Sequence, residues 1–173
     1  MALPKDYADD GCSLARALEV VGERWTLLIV RDAFFGVRRF GDFAAHLAIP
    51  RAVLTQRLIV LTEAGVLACV PGPHGHDEYE LTGKGLALWP VLRGLLTWGD
   101  DHYSTAGPRR AFSHATDGGE VQPDGSCATC AAQVPVADLV VAPGPGWSSR
   151  PGKTDPVSAA LAGPHRLLTS VRS

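Results

Sequence analysis

No stretch of about 18 apolar residues occurs in this chain of 173 residues, so no membrane-spanning helix is expected. The opening residues Met1-Ala2-Leu3-Pro4-Lys5-Asp6 lack the apolar core of a secretory signal, and a soluble, cytoplasmic protein with no membrane partner is the expectation. An excess of positive charge is also missing. With 16 basic and 18 acidic side chains the net charge is −2, so any surface for a polyanion must be local. Cysteine is scarce: the four, at 12, 69, 127 and 130, are too few and too unevenly placed for a disulfide scaffold. A Gly-rich phosphate loop, carboxylates paired at a plausible spacing, and a nucleophile and base on a common frame are all absent, which argues against an enzyme.

What is present is concentrated. From Gly36 to Thr62 the charged residues are Arg38, Arg39, Arg51 and Arg57 against Asp42, a local +3, whereas residues 1 to 104 carry 10 basic and 13 acidic side chains. A basic spot sits on an acidic body. Leu14, Ala17, Leu18 and Val21 recur at helical spacing, and Gly22 ends that helix. Arg24 to Phe35 is apolar almost all round, as expected of a central helix terminated by Gly36. Phe40, Phe43, Ala44 and Leu47 predict a short third helix. Pro50 suits the first turn of a fourth, whose buried stripe is Leu54, Leu58 and Leu61.

Val66 to Val70 and Glu78 to Leu81 predict a hairpin across the turn-rich segment 71 to 76, with Cys69 packed in its first strand. Thr82 is placed to cap a last long helix from about Gly83 to Tyr103, too apolar for one side of a small core and therefore suited to a partner subunit. Beyond Ser104, Gly, Pro, Ser and Ala dominate. The expected division is residues 1–104 as a DNA-binding and dimerisation domain, 105–147 as a small, irregular or ribbon-like Cys-x-x-Cys extension, and 148–173 as a tail with a short helix around Val157 to Ala162. The fold class is mainly α with a short β-hairpin (α+β).

Helices, a hairpin and a long final helix in this order make a winged helix-turn-helix. Cys12-Ser13-Leu14-Ala15-Arg16-Ala17-Leu18, Gly22-Glu23-Arg24-Trp25-Thr26-Leu27-Leu28-Ile29, Arg38-Arg39-Phe40-Gly41-Asp42-Phe43, Leu54-Thr55-Gln56-Arg57-Leu58 and Tyr79-Glu80-Leu81-Thr82 with Gly85 resemble the HxlR-type (MarR-like) transcriptional regulators over about residues 11 to 103. The resemblance implies a homodimer that binds operator double-stranded DNA, usually as a repressor relieved by a small-molecule effector, an electrophile or an oxidant. The alternative function is a winged-helix module for protein interaction or ligand binding, with weak DNA binding.

The fourth helix should present Arg51, Ala52, Thr55, Gln56 and Ile59 opposite its leucines. Arg pairs bidentately with guanine and Gln with adenine, so Arg51 and Gln56 are the expected base readers; Ala52 can touch a thymine methyl. Arg38, Arg39 and Thr55 suit phosphates, which set register without reading sequence. Arg57 is open between DNA and an ion pair with Asp42 or Glu63. The wing tip, Gly72 to Asp77, has no Lys or Arg, so minor-groove contact there would rest on His74 and His76, a pair that without a third ligand is more simply solvated than metal-binding. Asp77 stands where related proteins tend to be basic, and Ile49 where Ser commonly caps the recognition helix, a cap contributing about 1 kcal/mol.

Cys12 aligns with the cysteine that senses oxidants or electrophiles in part of the family; simple packing is the alternative. Cys127-Ala128-Thr129-Cys130 has the spacing of one zinc knuckle. By resemblance to longer members, His114 and Asp117 would complete the set, with Asp117 where those members have cysteine. The open alternatives are a structural zinc, a metal-free ribbon or a local dithiol; no other cofactor is expected.

Overall fold

The computed structural model describes residues 11–72, 75–148 and 154–172. Its elements run α1 (Ser13–Val21), α2 (Thr26–Phe34), α3 (Phe40–Leu47), α4 (Arg51–Glu63), β1 (Leu67–Pro71), β2 (Asp77–Leu81), α5 (Gly83–Leu86), α6 (Trp89–Tyr103), β3 (Arg110–His114), β4 (Leu139–Pro143), α7 (Pro156–Ala160) and β5 (His165–Arg166). Among the described residues, no helix is long and apolar enough to cross a membrane.

The centre is α2, where Ile29, Val30, Ala33 and Phe34 are all buried, as an all-round apolar helix requires. Around it pack Phe43 and Leu47 from α3 and Leu54, Leu58 and Leu61 from α4. Ala48 turns the chain between α3 and α4 in the left-handed conformation (φ 52°). Pro50 lies one position earlier than expected, at the N-cap of α4, where its carbonyl accepts the Leu54 amide at 3.0 Å. Ile49 is buried, so the position gives up a capping hydroxyl and gains apolar packing.

The wing is an antiparallel pair in which Leu67 faces Leu81 and Cys69 faces Tyr79. Arg39 bridges Glu78 and the Tyr79 amide donates to the Arg38 carbonyl at 2.8 Å, so residues 38–39 lie along the outer edge of β2. Cys69 is exposed rather than packed. The Thr82 hydroxyl accepts the Gly85 amide as expected, but the helix it caps is only α5. The chain turns at Ala87 and Leu88 and restarts at Trp89, because Pro90 has no amide to continue the ladder and is tolerated only in a first turn.

Residues beyond 104 build a second sheet, ordered β3-β4-β5 and antiparallel throughout, with Phe112 opposite Val141 and Val141 opposite His165. This sheet shares the core of the helices. Trp89 lies between Phe34 (centroids 5.1 Å apart) and Phe112 (5.6 Å), and Leu139, Val141, Val157, Leu161 and Leu167 join the same buried cluster. The segment read from sequence as a tail is thus built in where it is described. The Leu168 amide donates to the Phe34 carbonyl at 2.8 Å, the Val171 amide to Gly36 at 3.2 Å, and Arg172 Nε to Asp42 Oδ2 at 2.8 Å.

Gly36 has φ +85°, and a Cβ there would lie 1.7 Å from the Thr169 carbonyl oxygen. Gly36→Ala is therefore expected to destabilise by at least about 1 to 3 kcal/mol from backbone strain alone, before the clash is counted. Thermal denaturation reads this as a fall of several degrees. An unchanged melting temperature would mean that residues 167–172 are not seated against the end of α2.

Candidate functional site

The exposed face of α4 carries Arg51, Ala52, Thr55, Gln56 and Ile59, opposite the buried Leu54, Leu58 and Leu61. The structure brings the expected base-reading residues onto one accessible surface. The Arg51 guanidinium lies 4.8 Å from the Phe40 ring centroid, a cation–π contact that restrains it beside α3. Thr55 Oγ1 donates to the Arg51 carbonyl at 3.0 Å, which leaves its methyl and oxygen lone pairs outward. Arg57 is half-buried. Its proposed partner Asp42 is taken by Arg172 instead, from a segment the sequence reading did not connect to α3.

Arg38 and Arg39 are differently placed from expectation. Arg38 Nη1 reaches Glu80 Oε1 at 2.6 Å, and Arg39 Nε reaches Glu78 Oε1 at 3.1 Å. Two acids spaced by two on a strand lie on one face, and here that face meets the arginine pair. The alternation Glu78-Tyr79-Glu80 carried this signal in the sequence. Both arginines remain about one-third exposed, so they can still approach a phosphate, but each already has a carboxylate. His76 is exposed at the wing; His74 lies outside the described residues.

Beneath α3 is a buried charge. Asp32 has no exposed surface, and its carboxylate accepts from Arg31 Nη2 at 2.6 Å and Nε at 3.0 Å, with His46 Nδ1 2.6 Å from the other oxygen. Burial alone would raise this carboxyl, but the charge of Arg31 and the hydrogen bond with His46 hold it below the ordinary value. Arg31 and His46 also line an open cleft of about 830 Å³ between α2, α6 and the C-terminal segment. Arg24, Arg109, Arg110 and Trp147 line it too, with Asp100 as the opposing acid.

The four candidate metal ligands converge. One ligand atom each from His114, Asp117, Cys127 and Cys130 lies within 4.8 Å of every other. The Gly119 amide donates to Asp117 Oδ1 at 2.8 Å and, together with neighbouring thiols, holds that carboxyl at about 2. Amides of the knuckle, first that of Cys130, favour the Cys127 thiolate and lower its pKa. Cys12 is exposed at the N-cap of α1, beside the exposed Leu14 and Leu18.

A helix, a left-handed turn, a second helix with a buried leucine stripe and a two-stranded wing define a winged helix-turn-helix protein of the transcription-regulator class, which is not enzymatic. The HxlR-like helix-turn-helix family matches residues 20–120, and the chain belongs to it. It is similar to uncharacterized HTH-type transcriptional regulators of Mycobacterium bovis and Mycobacterium tuberculosis, each 43% identical over 145 residues, spanning 82% of this chain and 91% of the relative. YvaP of Bacillus subtilis, also an HTH-type transcriptional regulator, is 35% identical over 86 residues, 48% of this chain and 80% of that protein. Among solved structures, the proposed transcription factor PA1607 is 36% identical, with a TM-score of 0.55 over 86% of this chain and 95% of that one.

Because Asp32 titrates lower folded than unfolded, its contribution is complete above the ordinary value of 3.8 and is lost as pH falls through the lower folded value. Asp32→Asn is expected to destabilise by about 3 kcal/mol at pH 7, since it leaves Arg31 and His46 facing no charge. The gap from the parent protein should close as pH falls below 3.8. Melting curves from pH 7 to strongly acid conditions check this; a gap that stays constant contradicts it.

Proposed function

We propose that this protein is a homodimeric, sequence-specific DNA-binding regulator, cytoplasmic, which represses by occupying a pseudo-palindromic operator and is relieved by a small ligand, an electrophile or an oxidant. The observation that carries the reading is the α4 face, where Arg51, Ala52, Thr55 and Gln56 stand exposed above a fully buried leucine stripe. Such a helix fits a major groove, and two copies would read half-sites about one helical turn apart or a multiple of it.

Homodimerisation is supported by apolar groups that one protomer leaves in water: Leu14 and Leu18 of α1, and Val91, Leu95 and Trp98 of α6. Cys12 adjoins the α1 part of that surface, so its oxidation or alkylation would act on the same contact. Diamide treatment tests this. Release of DNA from the parent protein but not from Cys12→Ser is expected, and equal release from both excludes Cys12. For a ligand, the arginine-lined cleft has the size range of small-molecule sites and the charge for an anion.

A second reading, an interaction module with weak DNA binding, is favoured by one observation: Glu78 and Glu80 neutralise Arg39 and Arg38. Mobility shifts with the protein's own upstream DNA at several salt concentrations separate the two. Under the leading reading Arg51→Ala costs roughly 1 to 3 kcal/mol of discrimination at one base position. Glu78→Gln releases Arg39, so it should tighten binding to all sequences and steepen the log–log salt slope by about 0.9. Binding with no sequence preference supports the second reading; a preference lost with Arg51 removes it.

A further inference from the structure

We propose that His114 Nδ1, Asp117 Oδ2, Cys127 Sγ and Cys130 Sγ form a closed, tetrahedral structural zinc site that staples the C-terminal extension. The spacing of the donor atoms carries the inference. A zinc ion with bonds of about 2.0 to 2.3 Å has tetrahedral edges of about 3.3 to 3.8 Å. Three edges of the set are 3.3 Å (His114 Nδ1 to Asp117 Oδ2), 3.6 Å (Asp117 Oδ2 to Cys127 Sγ) and 3.6 Å (Cys130 Sγ to His114 Nδ1). Half of the six donor–donor edges thus already have the length a zinc ion sets, and the remaining three are within 4.8 Å.

The surroundings orient the same atoms. Gly119 N–H holds the Asp117 carboxylate through Oδ1 with both oxygens near Cys127 Sγ, at 3.4 and 3.6 Å, and the Thr129 amide donates to Cys127 Sγ at 3.4 Å as outer-shell groups of metal thiolates do. A Cβ on Gly119 would lie 2.5 Å from Cys127 Sγ, so only glycine lets the strand pass this close to the thiol. Apolar anchoring of this segment is sparse. Between His114 and Val136 the buried apolar groups among the described residues are Val121 and Cys127, too few to order more than twenty residues by burial alone. A metal joining the end of β3 to the Cys-x-x-Cys turn supplies the missing constraint.

Two thiolates and an imidazole select a borderline-soft ion over calcium or magnesium, and four protein ligands leave no position for substrate. Asp117 is the hard member of the set, so the site should hold zinc less tightly than one with cysteine there.

The test uses the full chain without a histidine tag, dialysed against zinc and then metal-free buffer, with metal measured by mass spectrometry. Cobalt exchange supplies the intense visible bands of tetrahedral thiolate coordination. About one zinc per chain is expected for the parent protein, with less than about a tenth retained by Cys130→Ser. Cys130 is exposed and lies outside every helix, so its variant should keep the parent's helical far-ultraviolet circular dichroism even as residues 115–135 loosen. Asp117→Cys should resist a chelator longer than the parent and strengthen the cobalt–thiolate band. A parent protein that retains no stoichiometric metal overturns the proposal, as does a Cys130→Ser variant that retains as much as the parent. These readouts are independent of DNA binding.

Discussion

Trp89 is the side chain on which the assembly turns. Its ring fills the space between Phe34 at the end of α2 and Phe112 in the middle of β3, and no other ring–ring contact joins the two parts among the described residues. Pro90 makes this placement possible. By breaking the ladder after α5 it gives the chain a fresh start at Trp89, so the indole points at α2 from one side and at the sheet from the other. Arg93, one turn further along α6, covers Phe112 with its guanidinium at 4.3 Å and donates to the Val121 carbonyl at 3.1 Å. The extension is therefore continuous with the helices that carry α4, and buried area is shared between them rather than divided at residue 104.

Electrostatics divides the surface differently. The arginines nearest the wing are compensated by the wing's own glutamates, which join the start of α3 to β2 at the expense of positive potential. The Arg38–Glu80 pair is exposed and adds little stability, whereas Glu78 is buried beside Arg39; together the two pairs join the wing to the start of α3. The cationic groups left for an incoming polyanion on this side are carried by α4, where Arg51 is steadied by Phe40 without being neutralised by it. Under the proposed DNA-binding reading, affinity would depend on α4 more than on the wing.

How much of this was legible in the sequence follows from which forces were local. The α4 stripe, the two hairpin strands and the Thr82 cap are set by spacings of two to four residues, and all three were readable. The break before Trp89 was readable in principle from Pro90 but was outweighed by the long apolar pattern around it. The pairs Arg172–Asp42 and Arg38–Glu80 join positions 130 and 42 residues apart, and no periodicity reports such pairings. The packing of residues 154–172 was hidden for a related reason. Gly, Pro and Ser lower the apolar density there, while the few groups that matter, Val157, Leu161 and Leu167, are each almost fully buried.

One arrangement links the cleft to α3 and α4 without any long path. Arg31 and His46 both face the cleft, and both bind the carboxylate of Asp32 beneath α3. An anion entering among Arg24, Arg31, Arg109 and Arg110 would compete with Asp32 for Arg31. Asp32 cannot turn to water, since it is wholly buried, so weakening one of its two partners throws more of its charge onto His46. His46 lies in the last turn of α3, two residues before the left-handed Ala48 that sets the approach of α4. Any displacement of this pair would be passed to α4 through Ala48, because a packed core moves its helices as units and absorbs little of the displacement.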